Sequence, residues 1–265
     1  MGGLYGDGFI ACQGAFGRDW VSRLGQDIAT LFDEARAQPG GALARGPQRY
    51  YVEIHPERLR GFRELISHPW IDAVSRAVLG PDYKIVEVGF DVPGPGAMQQ
   101  PWHRDFAAPP ATVLGRRLNS LAFNITTVDV SDAMGPLEIA PGTQWDVWDV
   151  SDGGDPMFPP PALWPRYQAR LQRKRAAMGD ISARSALTIH RGTANVSDQA
   201  RPVLVLGVDA PDASNAERHD LQLTRSCHAS LPEALRRHLA CRVLERLEPI
   251  VQAHSIAGLL MGQMG

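Results

Sequence analysis

Four side chains in this 265-residue chain have the types and spacing for redox chemistry. They are His103 and Asp105 in the stretch Pro101-Trp102-His103-Arg104-Asp105, then His190, then Arg201. Two imidazoles and one carboxylate can hold a ferrous ion on one face, leaving three coordination positions for a chelating cosubstrate and O₂. Side chains two apart on a strand point the same way, so His103 and Asp105 can reach one ion together. His190 closes the alternating run 181–190, which is where a strand-end ligand belongs.

Each feature also has a plainer reading. An HxD pair alone is a common chance pattern, and a lone histidine such as His190 is more often a satisfied structural group. The same three ligands suit zinc with water as the fourth. Arg201 separates the two metals. A keto acid that chelates iron at one end presents a second carboxylate some distance away, which calls for a bidentate guanidinium; a zinc hydrolase has no such need. Asn195, Ser197 and Asp198 are turn formers. The spacing therefore predicts a hairpin that returns Arg201 to the metal cavity on the next strand. His55, His68, His219, His228, His238 and His254 fall in predicted helices or loops and read as structural or surface groups.

The elements that must position these residues follow from periodicity. Trp20, Leu24, Ile28, Leu31 and Ala35 predict a helix over 18–36, ended by Gln38-Pro39-Gly40-Gly41. A second helix is predicted over 69–79, closed by Gly80-Pro81. A third is predicted over 230–253, capped by Ser230, with an apolar stripe of Leu235, Leu239, Val243, Leu247 and Ile250. Between them, the runs 84–92, 118–130, 136–140, 181–190 and 202–208 read as strands. Short strands punctuated by Gly and Pro predict a sandwich or barrel. The expectation is one domain over 1–265, mainly β, with helical buttresses. The Gly- and Pro-rich stretch Ser151 to Pro165 predicts a long irregular connection, read as a lid or wall over a pocket.

Composition narrows the partners. Hydrophobic residues make up 44% of the chain, enough for a buried core, and 27 basic residues nearly balance 29 acidic ones. This balance leaves no electrostatic footprint for nucleic acid or an anionic membrane. The basic run Arg170, Arg173, Lys174, Arg175 reads as a solvated face. No stretch approaches the ~18 apolar residues of a membrane span, and the first residues do not read as a signal peptide. Gly2 invites myristoylation, but Gly6 stands where that motif needs Ser or Thr. Cys12, Cys227 and Cys241 make neither a disulfide framework nor a CxxC metal site. The expected setting is cytoplasmic, as a monomer or homodimer, with a small-molecule substrate and no nucleic-acid or membrane partner.

Beyond the metal ligands, the ordered motifs resemble the phytanoyl-CoA dioxygenase family of Fe(II)/2-oxoglutarate-dependent oxygenases. The resemblance runs through Gln100-Pro101-Trp102-His103-Arg104-Asp105, the run Gly135-Pro136-Leu137-Glu138-Ile139-Ala140-Pro141-Gly142-Thr143, and Gly179-Asp180 leading to His190. It continues through Asn195, Ser197 and Arg201-Pro202. It implies a catalytic core at about 84–208, built as a double-stranded β-helix, a cupin-like jelly roll, with iron at its open end. It also implies Fe(II), 2-oxoglutarate and O₂ as cofactors, oxidative decarboxylation to succinate and CO₂, and attack on an unactivated C–H bond. It further implies that Gln100 or Gln99, and Asn124 or Thr126, touch the cosubstrate, and that Thr193 lies near Arg201. Halogenating relatives carry a small residue at the position of Asp105; this chain keeps the carboxylate, so hydroxylation is expected, with desaturation, cyclisation and epimerisation open to the same site.

Trp102, Phe106, Trp145, Trp148 and Trp164 are candidate pocket walls, although each is as readily core packing. Asp146, Asp149, Asp152 and Asp155 read as a solvated acidic loop. The basic residues near the lid form no convincing CoA site, so a natural-product intermediate is the expected substrate class. A cupin-like isomerase or hydrolase, or a non-catalytic jelly-roll binding module, are the alternatives.

Overall fold

In the computed structural model, residues 2–107, 110–213, 219–250 and 252 are described. The strands are β1 Phe9–Cys12, β2 Leu43–Ala44, β3 Arg49–Glu53, β4 Lys84–Pro93, β5 Ser120–Thr126 and β6 Leu137–Ile139. They continue with β7 Gln172–Lys174, β8 Ile181–Ser185, β9 His190–Gly192, β10 Val203–Asp209, β11 Gln222–Thr224 and β12 Arg242–Leu244. The helices are α1 Gly2–Gly6, α2 Arg18–Arg36, α3 Phe62–Ile66, α4 Pro69–Leu79, α5 Pro110–Leu114, α6 Trp164–Arg170, α7 Arg225–Ser230 and α8 Glu233–Arg236. None of them is long and apolar enough to cross a membrane.

Seven strands form the large sheet in the order β1-β8-β5-β10-β4-β3-β2, and β7-β6-β9 form a small one. All pairings within these two sheets are antiparallel. Side chains of the large sheet alternate between its two faces, apart from a bulge where β10 passes from Gly207 to Val208 against β4, and the two faces differ in chemistry. One face carries Phe123 and Ile125 of β5, Leu204 and Leu206 of β10, and Phe90 of β4. It packs in the main core with Leu24, Ile28 and Leu31 of α2 and with Ile71 and Val78 of α4. The other face carries Asn124, Thr126, Arg184, Val205, Glu87 and Asp91, which line a cavity closed on its far side by Leu137, Lys174, His190 and Gly192 of the small sheet. This is the jelly-roll arrangement expected from the sequence: a mainly antiparallel β fold with flanking helices.

The first two predicted helices fall on α2 and α4. Pro69 opens α4, His68 Nδ1 accepts the Trp70 N–H at 3.3 Å, and Gly80 (φ +95°) ends it. The third does not form. Over 230–250 only Glu233–Arg236 is helical, Ser230 ends α7 rather than capping the next helix, and Arg242–Leu244 is a strand parallel to β11; residues 251 and 253 lie outside the described set. The backbone there is drawn into sheet-like bonds instead, Ile85 N–H to His238 O at 2.6 Å and Ala240 N–H to Ile85 O at 2.9 Å. Tertiary pairing overrides a helical apolar period.

The run 181–190 is two strands in two sheets, β8 and β9, joined by a turn in which Thr188 N–H meets Ser185 O at 3.0 Å. The hairpin expected between His190 and Arg201 is instead a crossover: β9 pairs with β6, and β10 pairs with β4 and β5. Asn195 holds that crossover. Its amide donates to Pro93 O at 3.1 Å and Gln199 O at 2.7 Å, and its carbonyl accepts the Ser197 N–H.

Thr143, fully buried, fixes the entry to β9. Its hydroxyl donates to Ala140 O at 2.6 Å and accepts the Ile189 N–H, next to His190, at 2.9 Å.

Two stability outcomes follow. Phe123 is fully buried and meets Trp70 edge-on at 5.9 Å. Phe123→Ala should cost about 3–5 kcal/mol, whereas changing exposed Val147 to Ser should move stability by less than about 0.5 kcal/mol in denaturant titrations. Thr143→Val should cost about 1–3 kcal/mol because it strands the Ile189 donor and the Ala140 acceptor; Thr143→Ser should retain most of that. An unchanged melting temperature in Thr143→Val would mean this hydroxyl does not hold the start of β9.

Candidate metal centre

His103, Asp105 and His190 each place one ligand atom within 4.8 Å of the others. His103 sits at an isolated antiparallel bridge to His190. The two residues exchange both backbone bonds, His103 N–H to His190 O at 3.0 Å and His190 N–H to His103 O at 2.9 Å. This is a closely paired ladder rung, so the two imidazoles lie side by side with centroids 4.3 Å apart. Asp105 is tied down by its own N–H, which donates to Ala186 O at 2.9 Å.

The tautomers follow from the neighbours. Each imidazole directs Nδ1 at a carbonyl two residues earlier, His103 at Pro101 O and His190 at Thr188 O, both at 2.9 Å. A carbonyl only accepts, so Nδ1 carries the proton and Nε2 presents its lone pair to the site. Burial pushes both imidazoles below the ordinary histidine range; His190 adds to the effect on His103, and Arg184 to that on His190. Neutral imidazoles are what a metal requires. Burial pushes the Asp105 carboxyl up, but Arg184, then His190 and His103, outweigh it and hold the group well below the usual carboxylate range.

Arg184 was not singled out in the sequence, yet it governs this carboxylate. Its Nη2 lies 2.8 Å from Asp105 Oδ2, while Asp105 Oδ1 faces His190 Nε2 at 3.3 Å. One oxygen is therefore anchored and the other is turned towards the two imidazoles. The signal was available: Arg184 alternates inward with Ser182 on a strand otherwise made of apolar and small residues.

Arg201 is buried in the same cavity. Among the described residues its only hydrogen bond is from Nε to Met134 O at 3.3 Å. Both terminal nitrogens of the fork thus lack a protein partner, although burial foremost, then Arg49, lowers its pKa to about 10. A buried guanidinium with an open fork is complementary to a carboxylate. Together with two neutral imidazoles and an ionised carboxylate, it fits iron carrying a chelating keto acid.

The remaining candidates divide. Asn124, Thr126 and Gln100 line the cavity. Gln100 accepts the Gly192 N–H through Oε1 at 2.9 Å. Gly192 must be glycine for this approach, since a Cβ would come within 2.8 Å of Gln100 Oε1 and 2.7 Å of Arg49 Nη1. Gln99 is exposed. Thr193 spends its hydroxyl on Pro136 O at 2.7 Å and is not in the cavity wall. Phe106 lines the cavity, but Trp102, Trp145, Trp148 and Trp164 do not. Trp102 packs with Tyr167, Ala140 and Ile189 in a separate cluster that Trp148 and Trp164 flank, and Trp145 stacks on Tyr5. Trp102, Trp148 and Trp164 thus bury apolar area in a cluster of their own, and Trp145 packs against the main core.

The irregular stretch after Ser151 does reach the site. Phe158 approaches His103 with centroids 6.0 Å apart, and Met157 O accepts the Arg104 N–H at 2.9 Å. Of its aspartates, Asp146 is an inward partner of Arg166 at 2.9 Å, and Asp149 and Asp155 cap local turns. The basic run is not wholly solvated either. Arg173 and Arg175 pair outward with Glu138 and Asp132, but Lys174 points into the cavity and donates to Ser182 Oγ.

Comparison with known proteins agrees with this geometry. None of the curated proteins compared is significantly similar to the chain. Among the solved structures that share its fold are AviO1, SnoK and EctD. AviO1 from Streptomyces viridochromogenes Tue57 is 18% identical, with a TM-score of 0.58 over 80% of this chain and 93% of that one. SnoK, a non-heme alpha ketoglutarate dependent carbocyclase from nogalamycin biosynthesis, is 19% identical, with a TM-score of 0.62 over 78% and 82%. EctD from S. alaskensis, solved with 2-oxoglutarate and 5-hydroxyectoine, is 17% identical, with a TM-score of 0.62 over 80% and 75%. The family Phytanoyl-CoA dioxygenase (PhyH) matches residues 4–203. The chain therefore belongs to the phytanoyl-CoA dioxygenase family, a group of Fe(II)/2-oxoglutarate-dependent dioxygenases.

Proposed function

We propose that His103, Asp105 and His190 hold Fe(II), that Arg201 receives the far carboxylate of 2-oxoglutarate, and that the enzyme oxidises a C–H bond of a small natural-product intermediate, most simply by hydroxylation. Iron held this way couples decarboxylation of the keto acid, with O₂, to oxidation of a substrate carbon. The chain's own contribution is placement. Arg184 and the two backbone carbonyls fix the ligands, Asn124 and Thr126 line the same cavity as the triad and Arg201, and Phe158 lies against the His103 ring. The observation that carries the reading is the open, buried fork of Arg201 in the triad's cavity.

Two features support the substrate class. The cavity beyond the triad is lined by Tyr51, Glu87, Asp209 and His219, which suits a molecule bearing hydrogen-bonding groups rather than an acyl chain. SnoK, which shares the fold, acts in nogalamycin biosynthesis.

The test is anaerobic addition of Fe(II) and then 2-oxoglutarate. A visible metal-to-ligand charge-transfer band should form in the wild type and be lost in His103→Ala and Asp105→Ala. Arg201→Met should raise the Kd for 2-oxoglutarate by about 100-fold, the loss of a charge-assisted bidentate contact. With O₂ and substrate, succinate should form in step with oxidised product. A wild type that binds Fe(II) but shows neither the band nor succinate is not this enzyme.

A further inference from the structure

The cavity holds more positive charge than its carboxylates neutralise. Arg184 is paired with Asp105 at 2.8 Å and Arg49 with Asp91 at 3.2 Å. Neither Arg201 nor Lys174 has a carboxylate within ion-pair distance among the described residues. Lys174 ends β7, opposite Leu137 of β6. Its stem crosses from the small sheet to the large one, where the ammonium donates to Ser182 Oγ on β8. An ammonium has three N–H donors, and among the described residues Ser182 Oγ is its only acceptor. Arg201 and Arg184 are the cations nearest it in effect, and Asp180, in the turn before β8, is the only opposing charge.

Nothing in the fold requires this arrangement. A methionine would fill the same space without placing a cation beside two others. A charged group with unused donors, enclosed next to another with an open fork, is arranged for an anion that both can share. One carboxylate has about four acceptor positions; a guanidinium fork takes two of them and an ammonium can take a third. We propose that Lys174 is a second cationic contact for the far carboxylate of the keto acid, beside Arg201, and that the pair makes this site select a dicarboxylic keto acid over a monocarboxylic one. This rests on Arg201 being the first partner of that carboxylate. A keto acid without the second carboxylate would leave the buried Arg201 fork and the half-buried Lys174 ammonium without an anion, which is the costly arrangement.

Burial foremost, then Arg201 and Arg184, lowers the Lys174 pKa to about 7, with Asp180 opposing. The folded value is below the unfolded one, so carrying the ammonium destabilises the ligand-free protein fully below pH about 7, and this penalty fades as pH rises towards the ordinary lysine value of about 10.4. Lys174→Met removes the penalty, so its melting temperature at neutral pH should hold or rise, and loss of binding in that variant is not loss of fold. Binding needs the charged form. The Kd for 2-oxoglutarate should be flat below pH about 7 and weaken by up to about tenfold per unit above it, a trend that Lys174→Met should flatten. The charged groups facing this ammonium are Arg201, Arg184 and Asp180; Arg201 is lowered only to about 10, so a change in Kd that begins near pH 7 belongs to the lysine.

The experiment measures binding to the Fe(II)-loaded protein under anaerobic conditions, by calorimetry and by the visible band. The probes are 2-oxoglutarate and the monocarboxylic 2-oxobutanoate. Lys174→Met should weaken 2-oxoglutarate by about 10- to 100-fold and leave 2-oxobutanoate within about threefold; Lys174→Arg should recover most of the loss. Equal weakening of both keto acids would mark a structural role and overturn the proposal. So would an unchanged Kd for 2-oxoglutarate, a wild-type pH profile that is flat, or loss of substrate binding with keto-acid binding intact. Arg201→Met separates the two levels. If it weakens 2-oxoglutarate while Lys174→Met does not, only the lysine is wrong; if it changes nothing, the reading of Arg201 fails with it.

Discussion

Two backbone hydrogen bonds between His103 and His190 are the constraint on which the site depends. They join residues 87 positions apart (190 − 103) into one ladder rung. The side chains of such a rung stand on the same face at close range, so convergence of the imidazoles is a property of the backbone and not of chance rotamers. Each ring is then oriented by a carbonyl of its own strand, which fixes the tautomer before any metal arrives. The site is thereby pre-organised. Little conformational entropy is left to lose when a ligand binds, and Arg184 holds one oxygen of Asp105 while the other faces His190.

The interior of this jelly roll differs from an ordinary core in its electrostatics. Hydrophobic burial stabilises the outer face of the large sheet against α2 and α4. Its inner face is polar, and the cations there are only partly matched by carboxylates. Such a cavity costs stability in the absence of ligand, because desolvated charges are left without full compensation. Stability given up at a site is recovered as affinity when an anionic cosubstrate completes the pairing. The apolar packing of the other face is what makes this tolerable.

Much of this was legible in the sequence where a single rule governs the outcome. Helices α2 and α4 announce themselves by an apolar stripe and by their start and stop residues, and the structure leaves them where that pattern puts them. The chain order of the triad and of Arg201 was legible because each residue type has few alternatives in that combination. The misses share a cause: they depend on which sheet a strand joins. The stripe Leu235, Leu239, Val243 is consistent with a helix until pairing with Ile85 and with β11 decides otherwise. The alternating run 181–190 is consistent with one strand until the chain crosses between sheets. Trp102, next to His103 in sequence, packs away from the cavity with Tyr167, Ala140 and Ile189 because that is where its apolar area is buried. Lys174 was hidden by its neighbours, since a run of basic residues reads as solvated unless a strand turns every second one inward.

Register in the small sheet positions both His190 and Lys174. Glu138 on β6 is buried and sits directly opposite Arg173 of β7 and Arg191 of β9. It accepts from both guanidinium groups, at 2.9 and 2.7 Å. This three-residue charge ladder occupies one face of the small sheet, and Arg191 also covers the Trp102 ring at 4.2 Å. Lys174, His190 and Gly192 are the adjacent positions and so fall on the opposite face, towards the cavity. A slip of one residue in any of these short pairings would bury an unpaired arginine and expose a core position, a penalty large enough to specify the register. The same slip would turn His190 and Lys174 outward, away from the cavity they line. Strands of three residues have few hydrogen bonds with which to hold register by themselves, so the outer ladder does for the small sheet what the helices do for the large one. The chemistry on the inner face is positioned by ion pairs on the outer face that never touch a ligand.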